Sequence, residues 1–193
     1  FGVNAFVYTR ANRSVDGLVF MGAYAFVGFL SLATLEYAFD VNVYSWRIEE
    51  SFLFGGSMGG LVSCLALAET KNRICALILL FPALCIVDDW NDKFKNTEDI
   101  PDEMMFWNLK LGKNFFMSMR NMDVYRMLSD FAVNTLIFHG DKDPIVPLRY
   151  SEKAENTIKN AKLIVFEGEG HGFTSEGNQK MDEMMLEFIK ENL

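Results

Sequence analysis

From about residue 51 onward, short apolar runs alternate with helical patterns along the chain. This alternation is typical of a parallel sheet whose strands are joined by crossover helices, so an α/β fold is predicted. The run ICALILLF at 74–81 is continuously apolar, as expected for a strand buried on both faces. Further strands are predicted at 51–54, 134–139 and 162–166, and helices at 61–70, 148–160 and 176–192.

Residues 84–130 interrupt this alternation. The stretch is acidic at first and then rich in Trp, Phe and Met, with six of the eleven methionines of the chain. It is too long for a plain connection between two strands, so an inserted helical cap is predicted. Pro101, which two acidic residues follow, predicts the start of a helix within it. The chain then divides into a first part of the core (1–83), the cap (84–130) and a second part of the core (131–193).

A long uncharged segment lies near the beginning of the sequence. From Leu18 to Leu35 there is no charged residue, and this length reaches the lower limit for a helix that spans a membrane. A helix buried on all sides in a larger domain has the same continuously apolar pattern. Because the rest of the chain has a globular pattern, the buried helix is preferred and membrane attachment through this segment is the runner-up.

Composition and charge narrow the classes of function. With 193 residues, the chain has the length of one domain with a sizeable core. Its 26 acidic and 18 basic residues give a net charge of −8, which repels phosphate backbones and argues against a nucleic-acid partner. The three cysteines lie in apolar runs, as expected of buried thiols in a reducing compartment. Since no segment has the pattern of a signal peptide, a cytoplasmic location is predicted.

The strongest chemical signal is the pentapeptide Gly55-Gly56-Ser57-Met58-Gly59, which matches G-x-S-x-G between a predicted strand and a predicted helix. In such a turn the serine has a strained backbone, and the glycines relieve the crowding around it. The turn lifts the hydroxyl off the sheet, and the N-terminus of the following helix presents free N–H groups to a developing oxyanion. Ser57 is therefore the candidate nucleophile; the alternative is a glycine-rich turn with an idle serine.

A serine hydroxyl needs a base, and the chain has only two histidines. His171 lies in a glycine-rich loop, GEGHG, directly after the last predicted strand. His139 lies at the end of the preceding strand, in HGDKD. The loop position suits a base better, so His171 is the candidate base and His139 is predicted to be a structural histidine.

The acid that orients the base is expected between the serine and the histidine in the sequence. Asp143 satisfies this order, and Asp141 is its rival two positions earlier. Both follow a predicted strand, where a carboxylate could reach the imidazole and select its tautomer. Asp143 precedes the rigid turn PIVP and is preferred, although either aspartate could instead cap a turn.

Three segments together resemble the α/β-hydrolase superfamily, and most closely its bacterial esterase, lipase and serine-aminopeptidase-like branch. They are LFGGSMGG at 53–60, HGDKDPIVP at 139–147 and EGHGF at 169–173, in the order of the family. The resemblance implies an α/β-hydrolase fold in which Ser57 is the nucleophile, Asp143 the orienting acid and His171 the base. It also implies that residues 84–130 are the cap, which in cinnamoyl-type esterases of this branch shapes the acyl and alcohol pockets.

The aromatic and methionine side chains of the cap have two interpretations. Any helical cap needs an apolar face, so core packing explains them without a ligand. The functional interpretation is an adaptable wall for an apolar or aryl acyl group, with Trp90, Phe106 and Trp107 as the substrate-binding candidates.

The sequence also departs from the family before Ser57. The family has an N-terminal His-Gly loop that donates one oxyanion N–H, and no such motif occurs here. The N–H of Met58 is the one oxyanion donor that the sequence assigns. Residues 2–8 resemble the strand that follows the missing loop. A sheet without its first strands would have an exposed edge, so a homodimer is a further expectation.

These observations predict a serine hydrolase that cleaves carboxylic esters through an acyl-enzyme. The histidines and thiols lack the spacing of a metal site, and no phosphate-binding loop ends in Lys-Ser/Thr, so no metal or cofactor is expected. A small-molecule ester is the expected partner. The rival hypothesis is a truncated, catalytically weak or inactive hydrolase-like binding domain. Peptidase or amidase chemistry and a membrane-tethered hydrolase are lesser alternatives.

Overall fold

The computed structural model describes residues 5–9, 18–19, 51–69, 74–106 and 109–193. Within these ranges strands and helices alternate much as the sequence pattern predicts. The strands are β1 (Ala5–Thr9), β2 (Leu18–Val19), β3 (Ser51–Gly56), β4 (Ala76–Leu80), β5 (Glu103–Phe106), β6 (Leu109–Gly112), β7 (Asn134–Gly140) and β8 (Ala161–Phe166). The helices are α1 (Met58–Glu69), α2 (Ile86–Lys93), α3 (Lys113–Ser118), α4 (Val124–Ser129), α5 (Arg149–Thr157) and α6 (Ser175–Glu191), with a 3₁₀ turn at Thr97–Asp99.

Six of the described strands form one sheet in the order β2-β1-β3-β4-β7-β8. Strands β3, β4, β7 and β8 are parallel, whereas β1 and β2 are antiparallel to their neighbours. Strand β4 lies between β3 and β7, and its first four residues are buried. Because helices cover both faces of a central parallel strand, side chains on both faces are buried, and this explains the continuous apolar run of β4. The predicted α/β-hydrolase fold with a mostly parallel sheet is confirmed.

Side chains of β4 alternate between two apolar cores. Leu77 and Leu79 belong to the larger core, where helix α1 packs on one face of the sheet. Ile78 points to the opposite face, where it packs with Met181 of helix α6 and with Phe138. The period of two along a strand requires this alternation. The two cores hold the carboxyl ends of the parallel strands in place, and the candidate residues lie in the loops that follow those ends.

The segment between β4 and β7 contains a hairpin where the sequence predicted a helix. Strands β5 and β6 pair in an antiparallel two-stranded sheet of their own, and Met104 lies opposite Leu111. Met104 is half-buried and Leu111 buried, whereas Met105, which is 62% exposed, lies opposite the exposed Lys110, so these two neighbouring pairs are on opposite faces of the hairpin. The helix predicted to start at Pro101 is therefore wrong, because cross-strand pairing outweighs the local start signal. The division into core and cap stays a prediction.

The uncharged segment from Leu18 to Leu35 lies mostly outside the described residues. Its first two residues, Leu18 and Val19, form strand β2 and pair with β1. Among the helices that the structure describes, none is both long and apolar enough to cross a membrane.

Candidate active site

Ser57 occupies a sharp turn between strand β3 and helix α1. Its φ of 53° lies in the left-handed region, which is strained for a residue with a side chain. The backbone around it is tightly held: the Ser57 N–H donates to the Leu80 carbonyl at 2.9 Å, and the Ser57 carbonyl accepts from Gly60 and Ala83, both at 2.9 Å. The predicted elbow is therefore present, and its strain is balanced by hydrogen bonds to the end of β4.

Two glycines next to the elbow are required by close backbone approach. A Cβ at Gly55 would lie 2.3 Å from the Gly59 carbonyl oxygen and 2.4 Å from the Ser63 hydroxyl. A Cβ at Gly60 would lie 2.6 Å from the Cβ of Pro82. Gly56 differs, because an added Cβ would meet only Leu80, at 3.8 Å or more. The spacing of glycines in the motif thus reflects the packing of helix α1 against the strand ends.

We expect Gly55→Ala to lower the free energy of unfolding by about 1–3 kcal/mol, the usual cost of overpacking. The new methyl group would overlap backbone atoms, which have little room to move. Gly56→Ala is the matched control and should change stability by less than about 0.5 kcal/mol. Urea unfolding of both variants measures the difference, and equal midpoints would contradict this account of the elbow.

His171 lies in the loop between strand β8 and helix α6. Two positive-φ glycines shape that loop, Gly168 at 80° and Gly172 at 118°. The Glu169 carboxylate braces it by accepting from the backbone N–H of Thr174 at 2.7 Å and from the Thr174 hydroxyl at 2.5 Å. In this position the His171 Nε2 lies 2.9 Å from the Ser57 hydroxyl oxygen.

Asp143 completes a hydrogen-bonded chain with the serine and the histidine. Its Oδ2 lies 2.7 Å from the Nδ1 of His171, and its side chain is fully buried. Its Oδ1 accepts from the backbone N–H groups of Ile145 at 2.8 Å and Val146 at 2.9 Å. Because a carboxylate only accepts, the Nδ1 of His171 carries the proton and its Nε2 is left to accept from Ser57.

The rival acid, Asp141, has a different role. Its Oδ1 accepts from the backbone N–H of Gly168 at 2.6 Å, and its Oδ2 lies 3.1 Å from the ammonium of Lys142. The Gly168 N–H lowers the pKa of the Asp141 carboxyl below its ordinary value, and Lys142 adds to the effect. Asp141 thus ties the loop that carries the acid to the loop that carries the histidine.

The same two loops also meet through Gly140, which the sequence analysis did not single out. A Cβ at Gly140 would lie 2.2 Å from the carbonyl oxygen of Glu169, and that oxygen accepts from the Lys142 N–H at 2.9 Å. Only a glycine lets the end of strand β7 approach the histidine loop this closely. The glycine in HGDKD is the sequence signal that could have identified this contact.

Phe81 is a second residue that sequence reasoning missed. Its ring lies against the imidazole of His171, with ring centroids 4.4 Å apart. It directly follows β4 and has a φ of 36°, and its N–H donates to the Phe138 carbonyl at 2.7 Å. Strain of this kind costs on the order of 1–3 kcal/mol and persists where the surroundings enforce it. An apolar residue at a strand end looks like ordinary core in the sequence, so no signal marked it.

His139 is fully buried at the end of strand β7 and is bonded to neither Ser57 nor His171. Its Nδ1 lies 2.7 Å from the Ser151 hydroxyl and its Nε2 lies 2.9 Å from the Val146 carbonyl oxygen. Burial lowers the pKa of His139 below its ordinary value of 6.5. The prediction that His139 is a structural histidine, with both nitrogens satisfied, is confirmed.

The buried His139 is expected to make stability depend on pH. Its pKa is lower in the folded than in the unfolded state, so only the unfolded chain binds a proton as the pH falls through about 6.5. The free energy of unfolding therefore falls below that pH, by up to about 1.4 kcal/mol per pH unit from this group.

Urea unfolding at about pH 7.5 and about pH 5.5 checks this expectation for the wild type and His139→Gln. The variant should lose less stability, since it lacks the group that titrates. Asp143, His171 and Glu152 also act on the titration of His139, and they are the same in both proteins. An identical loss in the two proteins would contradict the expectation.

The remaining candidates concern the oxyanion and the substrate. Met58 is the first residue of helix α1, so its N–H has no acceptor within the helix and is available to an oxyanion. Trp90 packs edge-to-face on Phe106 with centroids 5.2 Å apart, within an aromatic cluster that includes Phe116. Phe106 is 37% exposed. Trp107 lies outside the described residues.

Comparison with known proteins shows the family of the chain. Residues 32–193 match the sequence model of the prolyl oligopeptidase family. The chain belongs to this family. The members of this family are α/β hydrolases, so the superfamily that the three motifs indicated is confirmed.

Individual relatives support the same assignment. The AB hydrolase superfamily protein YisY of Bacillus subtilis (strain 168) is 25% identical, over 76% of this chain and 69% of that protein. The structure of Est1E from Butyrivibrio proteoclasticus with bound ferulic acid is 32% identical with a TM-score of 0.61, over 68% of this chain and 57% of Est1E. The bifunctional esterase/perhydrolase DCH of Acinetobacter calcoaceticus is 33% identical, over 35% of this chain and 25% of that protein. The chain thus spans less than two thirds of the length of Est1E.

Proposed function

We propose that this chain is a serine hydrolase that cleaves carboxylic esters with a Ser57–His171–Asp143 triad. One observation carries the proposal: the Ser57 hydroxyl, on a strained turn, lies 2.9 Å from a histidine whose other nitrogen is bonded to a buried carboxylate. An idle serine in a glycine-rich turn would not need such a partner. The resemblance to Est1E and to an esterase/perhydrolase supports ester chemistry over other uses of the same triad.

The proposed reaction uses the hydrogen bonds that join these three residues. Ser57 Oγ attacks the ester carbonyl while the Nε2 of His171 takes the hydroxyl proton. Asp143 stabilises the imidazolium, and the Met58 N–H donates to the oxyanion. The carbonyl–alkoxy bond then breaks, and His171 returns the proton to the leaving alcohol. Water, activated by the same imidazole, attacks the acyl-enzyme and releases the carboxylic acid and free Ser57.

The acyl group is proposed to be apolar or aromatic. Residues 84–130 would act as the cap, and its aromatic cluster would form the wall of the acyl site. Trp90 and Phe106 are the described members proposed to contact the substrate, with Trp107 as the third. Because Phe106 is partly exposed although it is a large apolar side chain, it is the member of the cluster most open to a ligand. The ferulic acid bound to Est1E is an aromatic acid of this chemical class.

A panel of substrates tests the proposal. We expect hydrolysis of 4-nitrophenyl acetate, 4-nitrophenyl butyrate and methyl ferulate, and much slower hydrolysis of matched anilides, since amines are poorer leaving groups than alcohols. A preference for peptide substrates would favour peptidase chemistry. Failure to hydrolyse any ester, in a protein that is folded by circular dichroism, would favour the binding-domain alternative.

A further inference from the structure

His139 is held in one tautomer by its two partners. A carbonyl oxygen only accepts, so the Nε2 that lies 2.9 Å from the Val146 oxygen must carry the proton. The Nδ1 of the neutral ring is then an acceptor, and the Ser151 hydroxyl donates to it at 2.7 Å. Ser151 is itself fully buried on helix α5. The imidazole thus has a defined orientation, which is set by the turn 144–147 and by helix α5.

The Nε2 of His139 also lies close to the acid of the proposed triad. It lies 3.4 Å from the Oδ2 of Asp143, the oxygen that accepts from His171. Val146, whose carbonyl accepts from His139, also donates its own N–H to the other oxygen of Asp143. The ring is therefore linked to Oδ1 of Asp143 through the backbone of Val146, and its Nε2 lies beside Oδ2.

We propose that His139 is a positioning residue for ester hydrolysis: through the hydrogen bond from its Nε2–H to the Val146 carbonyl it holds the turn 144–147, which in turn orients Asp143 and the Asp143–His171 hydrogen bond. This inference rests on the proposed function. The side chains of His139 and Asp143 are both fully buried, so no solvent can replace a donor that is lost there. His139 acts through Asp143 and does not touch the serine.

Two substitutions separate positioning from mere filling of space. His139→Gln keeps an N–H donor at about the reach of Nε2, whereas His139→Asn has an amide that reaches only as far as Nδ1 and lacks the distal donor. We expect His139→Asn to lower kcat about 10- to 100-fold with KM changed less than about twofold, because the buried Val146 carbonyl would lose its donor and the turn that holds Asp143 would no longer be fixed. His139→Gln should retain kcat within about threefold.

Rates are expressed per active site, counted by stoichiometric labelling with a fluorophosphonate, so that a fraction of unfolded protein does not distort kcat. Ser151→Ala is the second variant, in case His139→Asn does not fold. It removes the donor that orients the ring and should lower kcat about 3- to 30-fold at constant KM.

The outcomes distinguish this inference from the proposed function. A wild type that neither hydrolyses esters nor reacts with the fluorophosphonate would overturn both. An active wild type with equal kcat in the Asn and Gln variants would overturn the positioning role alone. If His139→Asn is unfolded, unchanged kcat in Ser151→Ala would do the same.

Discussion

Ser57→Ala is expected to lower kcat for ester hydrolysis by about six orders of magnitude, close to the residual rate that binding and the oxyanion donor alone provide. The Ser57 oxygen is the only atom that the Nε2 of His171 is placed to deprotonate in the described structure. Without it no acyl-enzyme forms, and water would have to attack the ester directly. The variant should fold, because the side chain of Ser57 is partly exposed and an alanine at this position keeps the same backbone.

Intact-mass analysis after treatment with a fluorophosphonate measures the effect most directly. The wild type should gain one adduct and Ser57→Ala none, since the probe reacts with a serine activated by a neighbouring base. Ser63→Ala is a matched control on helix α1: the Ser63 hydroxyl is buried and has no hydrogen-bond partner among the described residues. That control should label like the wild type. An adduct on Ser57→Ala would show that another residue is the nucleophile.

Asp143→Asn is expected to lower kcat by about 10⁴-fold with little change in fold. The backbone N–H groups of Ile145 and Val146 require an acceptor at Oδ1, so the new NH₂ group must take the place of Oδ2. There it would donate toward the Nδ1 of His171, which forces the imidazole proton onto Nε2. In that tautomer His171 cannot accept the proton of Ser57.

Asp141→Asn is the control for this substitution, because it lies two positions away in the same loop. Asn can still accept from the Gly168 N–H, so we expect kcat within about threefold of the wild type and only a small loss of stability. Steady-state kinetics on one ester compares the two variants. Should Asp141→Asn lose more activity than Asp143→Asn, the assignment of the acid would be wrong.

The sequence by itself determined the four parallel strands of the sheet and indicated the candidates for the nucleophile and the base. Continuous apolar runs of strand length, such as 74–81, arise because burial on both faces leaves no polar positions. Such a run can be recognised without knowing which strands and helices pack against it. The glycine spacing around Ser57 is similarly local, because it results from crowding within one turn. With only two histidines in the chain, His171 followed from its place in a glycine-rich loop.

The tertiary structure decided the points that depend on residues far apart in sequence. Asp141 and Asp143 are equivalent by spacing, and only the position of His171 and the Ile145 and Val146 N–H groups separates their roles. The hairpin of β5 and β6 replaced a helix whose start signal was sound locally, since pairing between the two neighbouring strands outweighs the propensity for a helix. The positions of His139 and Phe81 next to the candidate site likewise depend on contacts that exist only in the folded chain. Hydrogen bonds and ring contacts are specified by distances across the fold, which periodicity along the chain does not encode.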